Sequence, residues 1–378
     1  MKDNYYIMDE KKAEHIRTIV GWIRLAILVV LLYIIGTAIC HAQQRDSLVN
    51  LHGVLRGKYE YQPEMNAGRF EVRNARMSIS GKLSKRSEYK LEVDLCDESS
   101  IKMKDAWVRL LPWKQLRVSI GQQRLPFTID AHRNPANQYF ANRSFIAKQV
   151  GDMRDVGLQL GYTFKNKEGR TLAIADAGMF NGSNLDNQKT AWNKDLNYSA
   201  RLQWFPVEGL AIVPSIQHTA IADRKAEYTS LDFGAFYETN GWHLEAEYLH
   251  KQYAHDAFDD CDAVNAMVIY KMPIKNKDWF MQSVSYLARY DYMGNHADGK
   301  KGFELDADNN ETTRLKISDY ARHRMTLGLT FGIRNPYLPT EIHLNYERYW
   351  YPNGGIAKES EQDKLVSALV HINFRRRG

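Results

Sequence analysis

Long apolar runs are what this sequence lacks. Beyond residue 42 nothing approaches the roughly 18 consecutive apolar residues of a membrane-crossing helix, which excludes a helical membrane protein. Cysteine is scarce, with three in 378 residues. The two beyond the N-terminal segment, Cys96 and Cys261, fall near predicted loop ends on distant strands, and no bridge is expected between them. Catalytic signatures are missing as well: there is no nucleophile elbow, phosphate-cradling loop or helical zinc motif. His250, His255 and Asp256 lie close together without zinc-site spacing. The run Asp306, Ala307, Asp308, Asn309, Asn310, Glu311 is similar to a calcium loop but lacks its glycine and its full spacing. These absences read as a chain that is not an enzyme, with no catalytic residue, no metal site and no cofactor. Charge is not one-sided either. Fifty-one basic residues face 45 acidic ones, which is not the profile of a nucleic-acid binder.

What is present begins at the N-terminus. Lys11, Lys12, Arg17 and Arg24 precede an apolar core at 25–35, and small residues follow up to Ala42. Charged region, apolar core and small residue read as a secretory signal peptide over 1–42, cleaved after Ala42. Met8 is a candidate start; an uncleaved anchor and a lipoprotein through Cys40 are the alternatives. The domain left, 43–378, carries 46 basic and 41 acidic residues, a net charge of +5.

From residue 47 onward the pattern has period two. Leu51, Leu55, Tyr59 and Tyr61 share one face with Gly53 and Gly57; His52, Arg56, Lys58 and Glu60 share the other. Successive strand side chains point to opposite faces, so such a segment has an apolar and a charged side. The pattern returns at 75–83, 89–95, 105–110, 116–120, 156–164, 172–180, 197–204 and in eight further segments, sixteen in all. That is about 21 residues per strand and connection, which suits membrane strands of about ten residues. Short turns such as Thr239-Asn240-Gly241 alternate with longer polar connections. Alternation also explains how abundant aromatics (22 Tyr, 14 Phe, 8 Trp) coexist with a mean hydropathy of −0.51. Trp204, Trp242 and Trp279 fit interfacial girdles. The expected fold is all-β, a sixteen-stranded antiparallel transmembrane β-barrel. A soluble β-sandwich is the rival, and it would have to bury the apolar face against a second sheet.

The third long-side connection, 124–154, contains Arg124, Arg133, Arg143, Lys148 and Arg154. A loop of that length in a compact barrel is usually functional.

Several runs carry a family resemblance. They include 70–83 (FEVRNARMSISGKL), 88–94 (EYKLEVD), 103–108 (MKDAWV) and, most specifically, 120–127 (IGQQRLPF), Asn142-Arg143-Ser144 and Arg154-Asp155-Val156-Gly157. In order and spacing the chain resembles the phosphate-selective porin O and P family over 48–374. The resemblance implies a homotrimer of sixteen-stranded barrels, an inward-folded third loop and a basic cluster that binds phosphate. It also implies a last strand, ending at Phe374, that is read by the barrel assembly machinery. Arg124 stands where the family usually has Lys, and Asn74 where a second Arg is common; both departures bear on phosphate selectivity rather than on the channel.

The expected function is passive diffusion of small anions, phosphate or polyphosphate included, across the outer membrane of a Gram-negative cell after secretion to the periplasm. Arg and Lys replace the hydration that a phosphate sheds in a narrow pore. By parity and loop position the lumen residues are Arg56, Lys58, Arg76, Arg109, Arg117, Arg124, Arg133, Arg143 and Arg154. Expected partners are outer-membrane lipid and small anions such as phosphate, with no nucleic acid. A general diffusion porin for other solutes and a non-transport surface-binding barrel are the alternatives. Acidic residues on the same faces, among them Glu60, Asp105, Glu245, Glu247 and Asp291, give the lumen mixed charge.

Overall fold

The computed structural model describes residues 49–377, apart from 98–99, 183–191, 193–195, 222–225, 336–339, 353–360 and 371–373. The expected leader, 1–42, lies outside the described residues. The strands are β1 (Asn50–Gln62), β2 (Ala67–Ser84), β3 (Ser87–Asp97), β4 (Ser100–Leu110), β5 (Leu116–Arg124), β6 (Arg154–Lys165), β7 (Thr171–Phe180), β8 (Asn197–Trp204), β9 (Leu210–Ile221), β10 (Ala226–Thr239), β11 (Trp242–Tyr253), β12 (Cys261–Pro273) and β13 (Met281–Met293). A small hairpin follows, β14 (Phe303–Leu305) with β15 (Glu311–Leu315), and then β16 (Arg322–Ile333), β17 (Thr340–Trp350), β18 (Lys364–Val370) and β19 (Phe374–Arg377).

Apart from the hairpin, each strand pairs antiparallel with its sequence neighbours, and β1 pairs with β2, β18 and β19. The register Arg56↔Val370 to Tyr61↔Leu365 closes the sheet on itself. With β18 and β19 sharing one position, this is a closed barrel of sixteen strands, as the alternation predicts. Closure removes the unpaired edges that would otherwise expose backbone donors and acceptors to lipid. Among the described residues no helix is long and apolar enough to cross a membrane. The strand bounds differ from expectation mainly in β2 and β4, which start earlier, at Ala67 and Ser100. Both early stretches are largely exposed, and in them Phe70 and Val72, and Ile101 and Met103, alternate with charged residues beyond the expected starts.

Burial is inside-out relative to a soluble protein. On β10, Leu231 and Phe233 are exposed while Ser230 and Asp232 are buried. On β1, Leu55 is exposed and Arg56, Lys58 and Glu60 are buried. A barrel whose outer surface meets hydrocarbon and whose inner surface is polar has this arrangement. The sandwich alternative fails on it, because the apolar face is not packed against a second sheet. Exposed aromatics gather beside the short turns: Trp113, Phe164, Trp204, Tyr237, Trp242, Trp279 and Phe280. That is the placement of an interfacial belt.

The apolar core lies where the segment 125–153 meets the buried face of the sheet. Phe127, Phe145, Ile146 and Val150 pack with Leu249, Cys261, Ala263 and Met293. Phe140 packs on Met267, Ile269 and Leu287, and Ile129 on Ala211 and Val213. Each fully buried Phe or Ile stabilises this packing by about 1.5–3 kcal/mol. Gly121 on β5 is obligatory: its φ is +125°, and a Cβ there would sit 2.2 Å from the Ala106 carbonyl oxygen. Cys96 and Cys261 are both free thiols.

Candidate anion site

The segment 125–153 is held by the sheet's buried polar side chains. Its backbone amides at Thr128, Ala141 and Phe145 donate to Ser215 Oγ (3.1 Å), Asn345 Oδ1 (2.9 Å) and Asp291 Oδ1 (3.3 Å). The Ile129 amide donates to Glu247 Oε1 (2.5 Å). Its carbonyls accept from Ser199 Oγ at Pro126 (2.7 Å), Arg201 Nε at Thr128 (2.8 Å), Arg289 Nη1 at Asn142 (3.0 Å) and Arg324 Nη2 at Arg143 (2.7 Å). Buried backbone groups need partners, and an irregular segment cannot supply them from its own ladder. Much of the mixed charge on the buried face is therefore explained by anchoring. Glu245, Glu247, Asp291, Arg289 and Arg324 bond to this segment or to each other.

Within the segment, Asp130 joins the two limbs. Its Oδ2 accepts from the Ser144 amide and hydroxyl, each at 3.0 Å, and its Oδ1 pairs with Arg133 Nη1 at 3.1 Å. Burial pushes the Asp130 carboxyl up. The guanidinium groups of Arg133, Arg143 and Arg289 and the Ser144 amide outweigh that and hold it below the usual carboxylate range.

The nine residues expected from sequence do not form one site. Arg133 is drawn away to β11, where it forms a bidentate pair with Glu245 and lies over the Tyr139 ring. Arg109 and Arg117 sit toward the short-turn end. Arg109 donates to Ser119 Oγ at 2.8 Å and covers Trp107; Arg117 binds Thr163 Oγ1 at 2.7 Å and Asp176 at 3.0 Å. Lys58 is taken by Glu60 (3.0 Å) and Glu71 (2.7 Å).

The rest converge. Arg124 and Arg154 are register partners at the open ends of β5 and β6. Their Nη atoms both reach Asp152 Oδ1, at 2.8 and 2.9 Å, and Arg154 Nε also binds Asp105 at 3.0 Å. Arg76 is paired with Asp94 (2.9 Å) and Glu92 (3.4 Å), and its charge also acts on Asp152. Arg143 is held by backbone carbonyls alone, at Asp130 (3.2 Å), Ala131 (3.0 Å) and Arg133 (2.8 Å). Arg56 binds the Gln138 side chain and the Ala141 carbonyl (3.0 Å). Among the described residues Arg56, Arg109 and Arg143 form no direct ion pair, and Arg143 feels the charges of Asp152 and Asp130 without touching either carboxylate.

Asp130, Asp152 and Gln138 are not marked by the sequence, and Ser144 enters there only within the run Asn142-Arg143-Ser144. They lie in irregular backbone, where period-two parity carries no information. Among the described residues no group of three or more His, Cys, Asp and Glu side chains is placed to hold a metal. In the 306–311 run, Asp306 Oδ1 instead accepts from the Asp308 and Asn310 amides, both at 2.9 Å, and builds the β14–β15 turn.

Comparison with known proteins fits this architecture. No curated relative matches the chain in sequence. Among solved structures, the trimer form of OmpT, an outer membrane protein of Vibrio cholerae, superposes with a TM-score of 0.58 at 12% identity, covering 87% of this chain and 100% of that one. An anion-selective porin from Comamonas acidovorans gives 0.54 at 14% identity, over 87% and 100%. The outer membrane channel DcaP of Acinetobacter baumannii gives 0.56 at 12% identity, over 88% and 99%. At these identities the likeness establishes the barrel fold. The family model for phosphate-selective porin O and P matches residues 52–259, more than half of the sequence. The chain is an outer-membrane porin-type barrel and belongs to the phosphate-selective porin O and P family.

Proposed function

We propose that this barrel is a passive channel for small anions, phosphate included, and that the segment 125–153 narrows its lumen to a basic constriction. Arg143 carries the reading. Its guanidinium is fixed by three backbone carbonyls with no carboxylate in direct contact, while Arg124 and Arg154 flank the same region. A fixed guanidinium free of a direct ion pair in a narrow passage can replace the hydration of an oxyanion with charge-assisted hydrogen bonds. Arg56 and Arg109 extend the positive line toward β1 and toward the short-turn end. On that side a cavity of about 710 Å³, lined by Arg133, Gln138, Tyr139, His243, Lys271 and His343, offers an exit path.

The same reading includes a leader over 1–42 that directs the chain to the periplasm, insertion by the barrel assembly machinery into outer-membrane lipid, and assembly as a homotrimer. One of the similar structures is a trimer, which supports the last point. A general diffusion pore is the second reading. It draws on the pairing of Lys58, Arg76, Arg117, Arg124, Arg133 and Arg154 with carboxylates, which leaves little net charge on those side chains. Purified protein in planar bilayers under a salt gradient separates the two. A reversal potential on the anion side, phosphate block of chloride current and loss of both in Arg143→Gln support the anion channel. Cation preference in the wild type overturns it.

A further inference from the structure

The arginine cluster already contains an anion of the protein's own. Asp152 closes the short helical turn Ala147–Gly151, and its amide donates to the Ala147 carbonyl at 2.9 Å. That pins its backbone two residues before Arg154. From there its Oδ1 takes both Arg124 Nη2 (2.8 Å) and Arg154 Nη1 (2.9 Å). The side chain remains about a quarter exposed (25%). Partial burial pushes this carboxyl up, but the charges of Arg124, Arg154, Arg143 and Arg76 outweigh it and hold the group ionised.

A carboxylate presents to a guanidinium the same paired oxygens as one edge of a phosphate. Asp152 thus stands where an incoming oxyanion would seek its donors. Because it is tethered, its local concentration at those donors is far above that of a dilute solute. Asp105, which binds Arg154 Nε from β4, is held in the strand ladder and also serves Lys90 (2.6 Å). Asp152, on irregular backbone with one oxygen engaged, is the group able to give way.

We propose that Asp152 is a built-in competitor for the anion site, and that phosphate-like oxyanions pass by displacing its carboxylate from Arg124 and Arg154. The inference rests on the anion-channel reading and adds a specificity-determining residue to it. A channel must bind its solute strongly enough to admit it and weakly enough to release it. A tethered carboxylate supplies the weakening. Chloride, monatomic and singly charged, competes poorly for the paired donors; a divalent oxyanion competes well.

The test is phosphate block of chloride current through the full-length porin in planar bilayers, for wild type, Asp152→Asn, Asp152→Ser and Asp152→Glu. Heat-modifiable migration on gels first establishes that each variant is folded. Both neutral variants are expected to tighten the block at least tenfold, equivalent to about 1.4 kcal/mol, and to move the reversal potential further toward anions. Asp152→Glu, which restores the charge, is expected to return the block toward the wild-type value. Unchanged or weaker block in a folded neutral variant overturns the proposal and makes Asp152 a clamp for its arginines. A wild type without anion preference that acquires one on neutralising Asp152 overturns the anion-channel reading while supporting the competitor. Wild-type anion preference with no response at Asp152 does the reverse.

Discussion

Replacing Asp130 with alanine should loosen the segment 125–153 without disturbing the barrel. Asp130 is 5% exposed and binds Ser144, itself fully buried, through two hydrogen bonds at 3.0 Å, besides Arg133 at 3.1 Å. Arg133 retains Glu245, so its loss is largely compensated. The Ser144 amide loses its acceptor, and the Ser144 hydroxyl keeps only the Ala147 amide as a neighbour, at 3.2 Å. Two hydrogen bonds to a charged acceptor, at about 1.5–3 kcal/mol each, amount to about 3–6 kcal/mol. At 1.4 kcal/mol per decade, the ratio of open to closed segment rises roughly a hundred-fold to twenty-thousand-fold. Ser144→Ala keeps the amide bond and removes only one of the two, at about 1.5–3 kcal/mol, roughly a tenfold to hundredfold rise.

Two assays read this: excess noise and raised mean conductance in single-channel records, and protease cleavage within 125–153 in an otherwise intact barrel. A quiet Asp130→Ala channel with wild-type conductance and protease resistance refutes the latch. Acid should mimic the mutation. The carboxyl is held below its ordinary value in the closed state, so the open state binds more protons. The stability it provides is complete above a pH of about 4 and is lost as pH falls further toward the folded value. Wild-type noise should therefore rise on acidification below about pH 4, and Asp130→Ala should already be noisy at neutral pH.

Two further outcomes test the barrel itself. Ile120 is exposed on the outer face of β5, so Ile120→Arg should cost about 2–4 kcal/mol near the bilayer midplane and lower the folded yield in lipid vesicles while leaving detergent refolding less affected; equal yields in both would place this face away from hydrocarbon. Gly121→Ala should strip the β4–β5 ladder, because its Cβ meets the Ala106 carbonyl oxygen in a backbone conformation that L side chains rarely adopt; the readout is loss of heat-modifiable migration, and a wild-type melting profile would refute the close approach.

The barrel was largely legible in sequence because its two faces meet different solvents. On β1 or β10 the lipid-facing row is apolar and the buried row polar, so a period of two stands out in a single chain. The pattern is weaker on β12. There Ala263, Met267 and Ile269 on the buried face are as apolar as Val264 and Val268 on the other. Those buried positions pack against Phe140, Phe145 and the rest of the segment 125–153, a contact between residues more than a hundred positions apart. No local pattern announces it.

The candidate site was legible as a set of basic residues and not as an arrangement. Parity put Arg56 and Lys58 on the face of β1 that the structure buries, and the length of 124–154 singled out that loop as a candidate. Parity cannot say which cation meets which anion. Arg133 and Arg143 are ten residues apart in one loop, yet the first pairs directly with Glu245 from β11 and the second bonds to backbone carbonyls. Local solvation preference, repeated every second residue, determined the sixteen strands, their faces and the closed sheet. Only the tertiary structure decided which charges pair directly, because pairing depends on where an irregular loop docks against distant strands. That docking placed Asp152 between Arg124 and Arg154 and left Arg143 bonded to carbonyls, without a direct ion pair.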